Sequence, residues 1–101
     1  MQYLDIDTVR ARHRGHWFDP GSMRFFRSRV AQTAYGTDDG SRAYFVSSEQ
    51  FEDSTRYRAP RRYTVRVIDL HTGDIDTVGE FQEYASRSGA DAAARRLASA
   101  G

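Results

Sequence analysis

Three sets of residues in this 101-residue chain could do chemistry, and the spacing of each limits what that chemistry is. The first is arginine. All 15 basic residues are Arg and none is Lys, so every side-chain cation is planar, permanently charged and able to fork onto a carboxylate or phosphate. Arg24, Arg27, Arg29, Arg61, Arg62 and Arg66 fall in two clusters interleaved with Phe25, Phe26 and Tyr63. Gathered on one open face, they would make an Arg/aromatic surface suited to protein hot spots or to base stacking beside phosphates. These six are the candidate binding residues.

The second set is His13-x-x-His16 with Asp19 nearby. Helical i and i+3 positions share a face, but Gly15 interrupts the helix, and neither a third His nor any Cys completes a ligand set. His13 therefore reads as a partly buried helix residue. The third set is Ser47-Ser48-Glu49. Neighbouring strand residues point to opposite faces, so this run does not place a base beside a nucleophile. No Gly-framed Ser, phosphate-cradling Gly-rich loop or dinucleotide fingerprint is present. Asp69-x-His71-x-Gly73-Asp74-x-Asp76 is rich in oxygen but lacks the spacing and closing Glu of a calcium loop. The expectation is a protein that is not an enzyme and has no metal or cofactor.

Charge is laid out in blocks whose sign alternates. Residues 8–35 carry six arginines and one acid, and residues 36–55 carry one arginine and five acids. Residues 56–66 hold five arginines and no acid, and residues 67–86 hold five acids and no arginine. If consecutive strands pair as hairpins, basic strands lie beside acidic ones, each opposed pair contributing about 0.2–1 kcal/mol. That arrangement accounts for the pattern without a ligand. If instead the first and third strands are neighbours, the arginines gather into a patch.

The elements that would position these residues can be read from periodicity and turn chemistry. Residues 5–14 form a short helix capped by Asp5 or Asp7, with Ile6, Val9 and His13 on one face and Gly15 at its end. Asp19-Pro20-Gly21 is a turn. Residues 23–35 form a strand with no cleanly apolar face, Gly36 to Ser41 is a turn, and residues 42–49 return as a second strand. Glu52 to Arg62 reads as a loop. Residues 62–70 form the third strand, with Tyr63, Val65 and Val67 alternating. A turn over residues 71–74 leads to a fourth strand, 75–82. A C-terminal helix follows, capped by Ser88 with Asp91 three residues on, presenting Ala90, Ala93, Ala94, Leu97 and Ala98. The predicted fold is α+β: a short N-terminal helix, a four-stranded antiparallel sheet and a C-terminal Ala-rich helix packed on it, both helices on one side.

One domain spans residues 1–101, since a chain of this length has room for one core. Cysteine is absent, which excludes disulfides and thiol catalysis. No apolar run approaches the ~20 residues that span a membrane, and Met1-Gln2-Tyr3-Leu4-Asp5 lacks a secretory pattern. A cytoplasmic location with no membrane partner is expected. The net charge of +1 argues against a dominant polyanion binder. Two nucleic-acid folds are also missed: Arg42-Ala43-Tyr44-Phe45-Val46 lacks the glycine and register of an RNA-recognition strand, and the final helix opens with one base and one acid where double-stranded-RNA-binding domains place lysines.

Finally, Trp17-Phe18-x-Pro20-x-x-Met23-Arg24-Phe25-Phe26-x-Ser28-Arg29 is followed by Val46-Ser47-Ser48-Glu49-Gln50, Arg62-Tyr63-Thr64-Val65-Arg66 and Thr77-Val78-Gly79-Glu80-Phe81. Together they resemble a family of short proteins encoded by bacteriophages and mobile elements, including phages of actinobacteria. The resemblance covers most of the chain from Trp17 to about Ala94. That family has no assigned activity, so it lends no catalytic or binding residues. It implies a phage-type accessory protein acting in the host cytoplasm. The leading expectation is an interaction module for a host or phage protein, and the alternative is a module that binds DNA or RNA.

Overall fold

The strands expected at residues 42–49 and 62–70 become the centre of the sheet. The computed structural model describes residues 1–14, 26–52, 55 and 57–100. In chain order the elements are β1 (Gln2–Asp5), α1 (Ile6–Arg12), β2 (Phe26–Val30), β3 (Thr33–Gly36), β4 (Arg42–Phe51), β5 (Arg62–Asp69), β6 (Ile75–Val78) and α2 (Arg87–Ala100). The strands run β1-β3-β4-β5-β6, with β2 also on β4, and these pairings are antiparallel. The fold is α+β, as the periodicity implied. No helix among the described residues is long and apolar enough to cross a membrane.

The strand count is six, where four were expected. One addition is β1, four residues ahead of the helix, too short for alternation to mark it. The other arises because the expected strand 23–35 is two strands within its described part. β2 pairs with β4 so that Val30 faces Ser47, whereas β3 places Tyr35 opposite Tyr44. Between those pairs, four residues (31–34) face two (45 and 46). This is a β-bulge with two extra residues, enough to bend the strand while keeping side-chain parity. Ala31 still donates to the Val46 carbonyl at 2.9 Å, and the Gln32 carbonyl is turned away to accept from Ile6 N at 2.7 Å. That bond ties the start of α1 to the bend.

The two helices lie on opposite faces of the sheet, which corrects the one-sided packing expected. β4 shows why. Its Ala43 and Phe45 join Ala34, Ile68 and the α1 residues Ile6 and Val9 in one core. The alternate residues Tyr44 and Val46 join Tyr35, Val65 and the α2 alanines 90, 93, 94 and 98 in the other. Period-two alternation sends successive side chains to different layers, so β4 feeds both cores. Fully burying residues such as Phe45, Ile68 or Val65 contributes about 1.5–3 kcal/mol each. Alanines on α2 let its axis come close to the strands.

Local chemistry sets the ends of these elements. Asp5 caps α1, accepting from Asp7 N at 2.8 Å. Seven residues are too few for a helix to stand alone, and the β5–β6 turn supports its end, Gly73 accepting from Arg14 N at 2.9 Å. The cap of α2 is Ser86, not Ser88: its Oγ accepts from Gly89 N at 3.1 Å. β6 stops at Val78, short of the expected residue 82, because Gly79 turns to φ 73°. Trp17, Phe25 and the turn at residues 19–21 lie outside the described residues, as does the Phe26 side chain. Val30 is half-buried against the α1-side core.

Gly73 and Gly40 both have positive φ, 82° and 72°, but only Gly73 is crowded: a Cβ there would sit 2.5 Å from the Arg12 carbonyl oxygen, whereas nothing lies within 4 Å at Gly40. Gly40→Ala should cost the left-handed penalty alone, about 1–2 kcal/mol. Gly73→Ala should cost more, because α1 or the turn must shift. Thermal unfolding of the two variants checks this, at about 4–8 °C of Tm per kcal/mol for a domain of this size.

Candidate functional site

β4 and β5 carry polar residues on both faces, and the two faces use them differently. On the α1 side, Glu49 is fully buried and accepts three bonds: from Ser47 Oγ at 2.6 Å, Thr64 Oγ1 at 3.0 Å and Arg66 Nη2 at 3.1 Å. Ser47 and Glu49, two apart on β4, share a face, which corrects the expectation that this run keeps a hydroxyl and a carboxylate apart. Arg66 also donates through Nε to Ser47 Oγ at 3.1 Å and through Nη1 to Thr77 Oγ1 at 2.6 Å. Its guanidinium carbon lies 5.6 Å from the centre of the Phe81 ring.

A short strap over residues 79–83 closes this network. Gln82 N donates to Thr64 Oγ1 at 2.8 Å, and its side chain donates to the Glu49 carbonyl at 3.2 Å. Arg62 holds the strap from below, donating to the Gln82 and Glu83 carbonyls at 2.8 and 3.1 Å. Gln82 adopts φ 59°, a strained conformation for a non-glycine residue. These bonds over-determine it. The ion pair is therefore an internal part of the fold.

The α2 side has an open groove of about 880 Å³, within the size range of ligand sites. One rim is β2 and the bulge, from Arg29 to Thr33. The other is the first turns of α2, contributing Arg87, Ser88 and Asp91. Arg61, Tyr63, Tyr35 and Ser48 also line it. Arg61 Nη1 donates to the Ser48 carbonyl at 3.1 Å and to Ser48 Oγ at 3.0 Å, which holds that guanidinium in place. The Tyr35 hydroxyl donates to Asp91 Oδ1 at 2.5 Å. Burial, and then the bond to Asp91, push the Tyr35 phenol up to about 12.

Of the six arginines singled out from sequence, Arg29 and Arg61 come together in this groove. Arg62 and Arg66 lie on the opposite face, bound to the strap and to Glu49. Arg27 belongs to β2, its side chain outside the described part, and Arg24 lies outside the described residues, as do His16 and Asp19. The strand order explains the separation: β4 stands between β2 and β5. Directly opposed charges do occur, Arg42 across from Asp69 and Glu49 across from Arg62. Yet the buried ion pair joins Glu49 to Arg66, four residues farther along β5. Arg87 was missed because nothing in the sequence links the start of the last helix to residues 29 and 61. Among the described residues, no group of three or more His, Asp or Glu side chains could hold a metal ion.

Two outcomes follow from these contacts. Removing one partner of the buried pair, as in Glu49→Leu or Arg66→Met, should cost about 3–5 kcal/mol, and the double replacement less than the sum of the singles; denaturant unfolding in a double-mutant cycle measures it. The second concerns alkaline pH. With no lysine, tyrosines are the side chains that ionise between about pH 10 and 12. The Tyr35 phenol loses its proton near its ordinary value when unfolded and at about 12 when folded. Between those values the folded state holds the extra proton, so stability falls as pH rises through this window. The Tyr84 phenol is also raised, by its bond to Glu83 and then by burial, so ultraviolet titration of wild type and Tyr35→Phe should differ by loss of the phenol that titrates at about 12.

Comparison with known proteins gives one match. No curated protein matches the chain, and no solved structure does. A family model covers residues 3–95, nearly the whole sheet, α1 and the first nine residues of α2. Its description assigns no function, and nothing in it indicates catalytic activity. The chain belongs to this family of unknown function, DUF7447.

Proposed function

We propose that this chain is a non-enzymatic interaction module, a phage-type accessory protein that works in the host cytoplasm by binding a host or phage protein through the groove between the β2–β3 bulge and α2. The observation that carries the reading is the lining of that groove: Arg29, Arg61 and Arg87 beside Tyr35 and Tyr63. Arg and Tyr dominate binding hot spots because each combines apolar contact area with directional hydrogen bonds. Arg61 is already held by Ser48, so less side-chain freedom is lost on binding. The phage context rests on the sequence resemblance described above.

A second reading, a nucleic-acid module, draws on the same groove, since Tyr63 beside arginines could stack a base. The net charge of +1 weighs against it.

Affinity capture from host and phage-infected lysates with the wild-type chain and with Arg29→Glu/Arg87→Glu separates groove binding from adventitious capture. The expected result is a partner recovered by the wild type and lost with the variant; recovery by both would overturn the groove assignment. Titration with single- and double-stranded DNA and RNA across a salt series tests the second reading, whose signature is affinity that falls steeply with salt.

A further inference from the structure

We infer that the segment received by this groove is an acidic, extended peptide, and that Tyr35 makes the groove selective for it by holding Asp91; this rests on the groove being the binding surface proposed above. Among the described residues, three guanidinium groups and one carboxylate line the groove. Its electrostatic character therefore turns on that carboxylate. Left exposed to the groove, Asp91 would repel an anion and could pair with an incoming ligand's own cation or with a groove arginine. It is instead the acceptor of the Tyr35 hydroxyl.

Tyr35 is in turn held from outside the groove. The ring of Tyr3 meets it edge-on at 5.7 Å between centroids. Arg95 lies 5.9 Å from the Tyr35 ring centre and donates to the Tyr3 hydroxyl at 3.2 Å. A fixed phenol thus occupies the carboxylate, and a cation behind it offsets the charge. The arginines remain as the dominant field of the groove.

The shape indicates an extended ligand. One rim runs through five consecutive residues, 29–33, at most about 14 Å between end Cα atoms at the rise of an extended chain, shortened by the bend at Ala31 and Gln32. A peptide laid along it would present alternate side chains to the groove at about 6.8 Å intervals. Carboxylates at those positions can take the forked bonds that guanidinium groups offer. Val46 and Tyr63 supply apolar contact between them. Tyr35 acts as a positioning residue for Asp91.

Fluorescence anisotropy of the full chain with a labelled Glu-rich peptide and its Gln counterpart, at low salt, tests this. The Glu peptide should bind at least about tenfold more tightly than the Gln peptide, and Arg87→Ala should weaken it by about fivefold. Arg87 is exposed, so that variant should fold. Tyr35→Phe should weaken the Glu peptide selectively, and Asp91→Asn should tighten it by more in the Tyr35→Phe background than in the wild type, a coupling that a merely structural role for Tyr35 would not produce. Equal affinity for both peptides would overturn the inference, as would no binding of either, or tighter binding of a single-stranded oligonucleotide than of the Glu peptide. Equal binding of both peptides that Arg87→Ala still weakens would sink only the acidic selectivity. Partner capture unaffected by the Arg29→Glu/Arg87→Glu change would sink the groove itself.

Discussion

β4 accepts one strand along its length on one edge and two on the other, in registers that differ by two residues. Much of the architecture depends on that slip. The extra residues bend the chain at Ala31 and Gln32 and move β3 onto a second line, where its far edge pairs with β1. The bend also exposes the Gln32 carbonyl that receives Ile6 N, so α1 begins where β1 ends and crosses to the face opposite α2. A slip of one residue would have turned Ala34 and Tyr35 to the wrong layers. A slip of two preserves parity, and both cores stay filled.

Because each face of the sheet has its own helix, polar residues on the long central strands need a different solution on each side. On the α1 side, Ser47, Glu49, Thr64 and Arg66 satisfy one another beneath the strap at Gln82. Burying a charged pair is costly unless its remaining donors and acceptors are also met, and here hydroxyls and backbone groups meet them. On the α2 side, the first turns of the helix stand away from the β2 edge and leave a groove. Arg61 there is held by Ser48 and Asp91 by Tyr35, so the groove is lined by polar groups in fixed positions. One face is an internal framework and the other is the face where binding is proposed.

The same residue type therefore serves two ends. Arg62 and Arg66 hold the fold, whereas Arg29, Arg61 and Arg87 line open space. Composition could not separate these roles, since all are arginines and all fall in basic segments. Sorting them requires knowing which face each residue points to and what covers that face.

The sequence by itself determined the elements governed by local forces. Alternation marked β5, the flanking turn signals marked β4 and β6, Asp5 as a candidate cap and apolar spacing marked α1, and the alanine pattern marked α2. Turn chemistry placed the connections at residues 36–41 and 71–74, where Asp39 and Asp69 accept backbone bonds as such turns require. Tertiary structure alone decided the rest. β1 is a strand because β3 is beside it, β2 and β3 separate because β4 holds them in two registers, and Ser86 caps α2 because the helix starts two residues earlier than the Ser88-Asp91 spacing suggests. Glu49 was legible as an acid on a strand but not as the centre of a buried network, for its partner is four residues beyond its ladder neighbour. The groove was half legible, through Arg29 and Arg61. Its third arginine comes from a helix nearly 60 positions after the first, and only packing across the sheet brings residues so distant in sequence to one site.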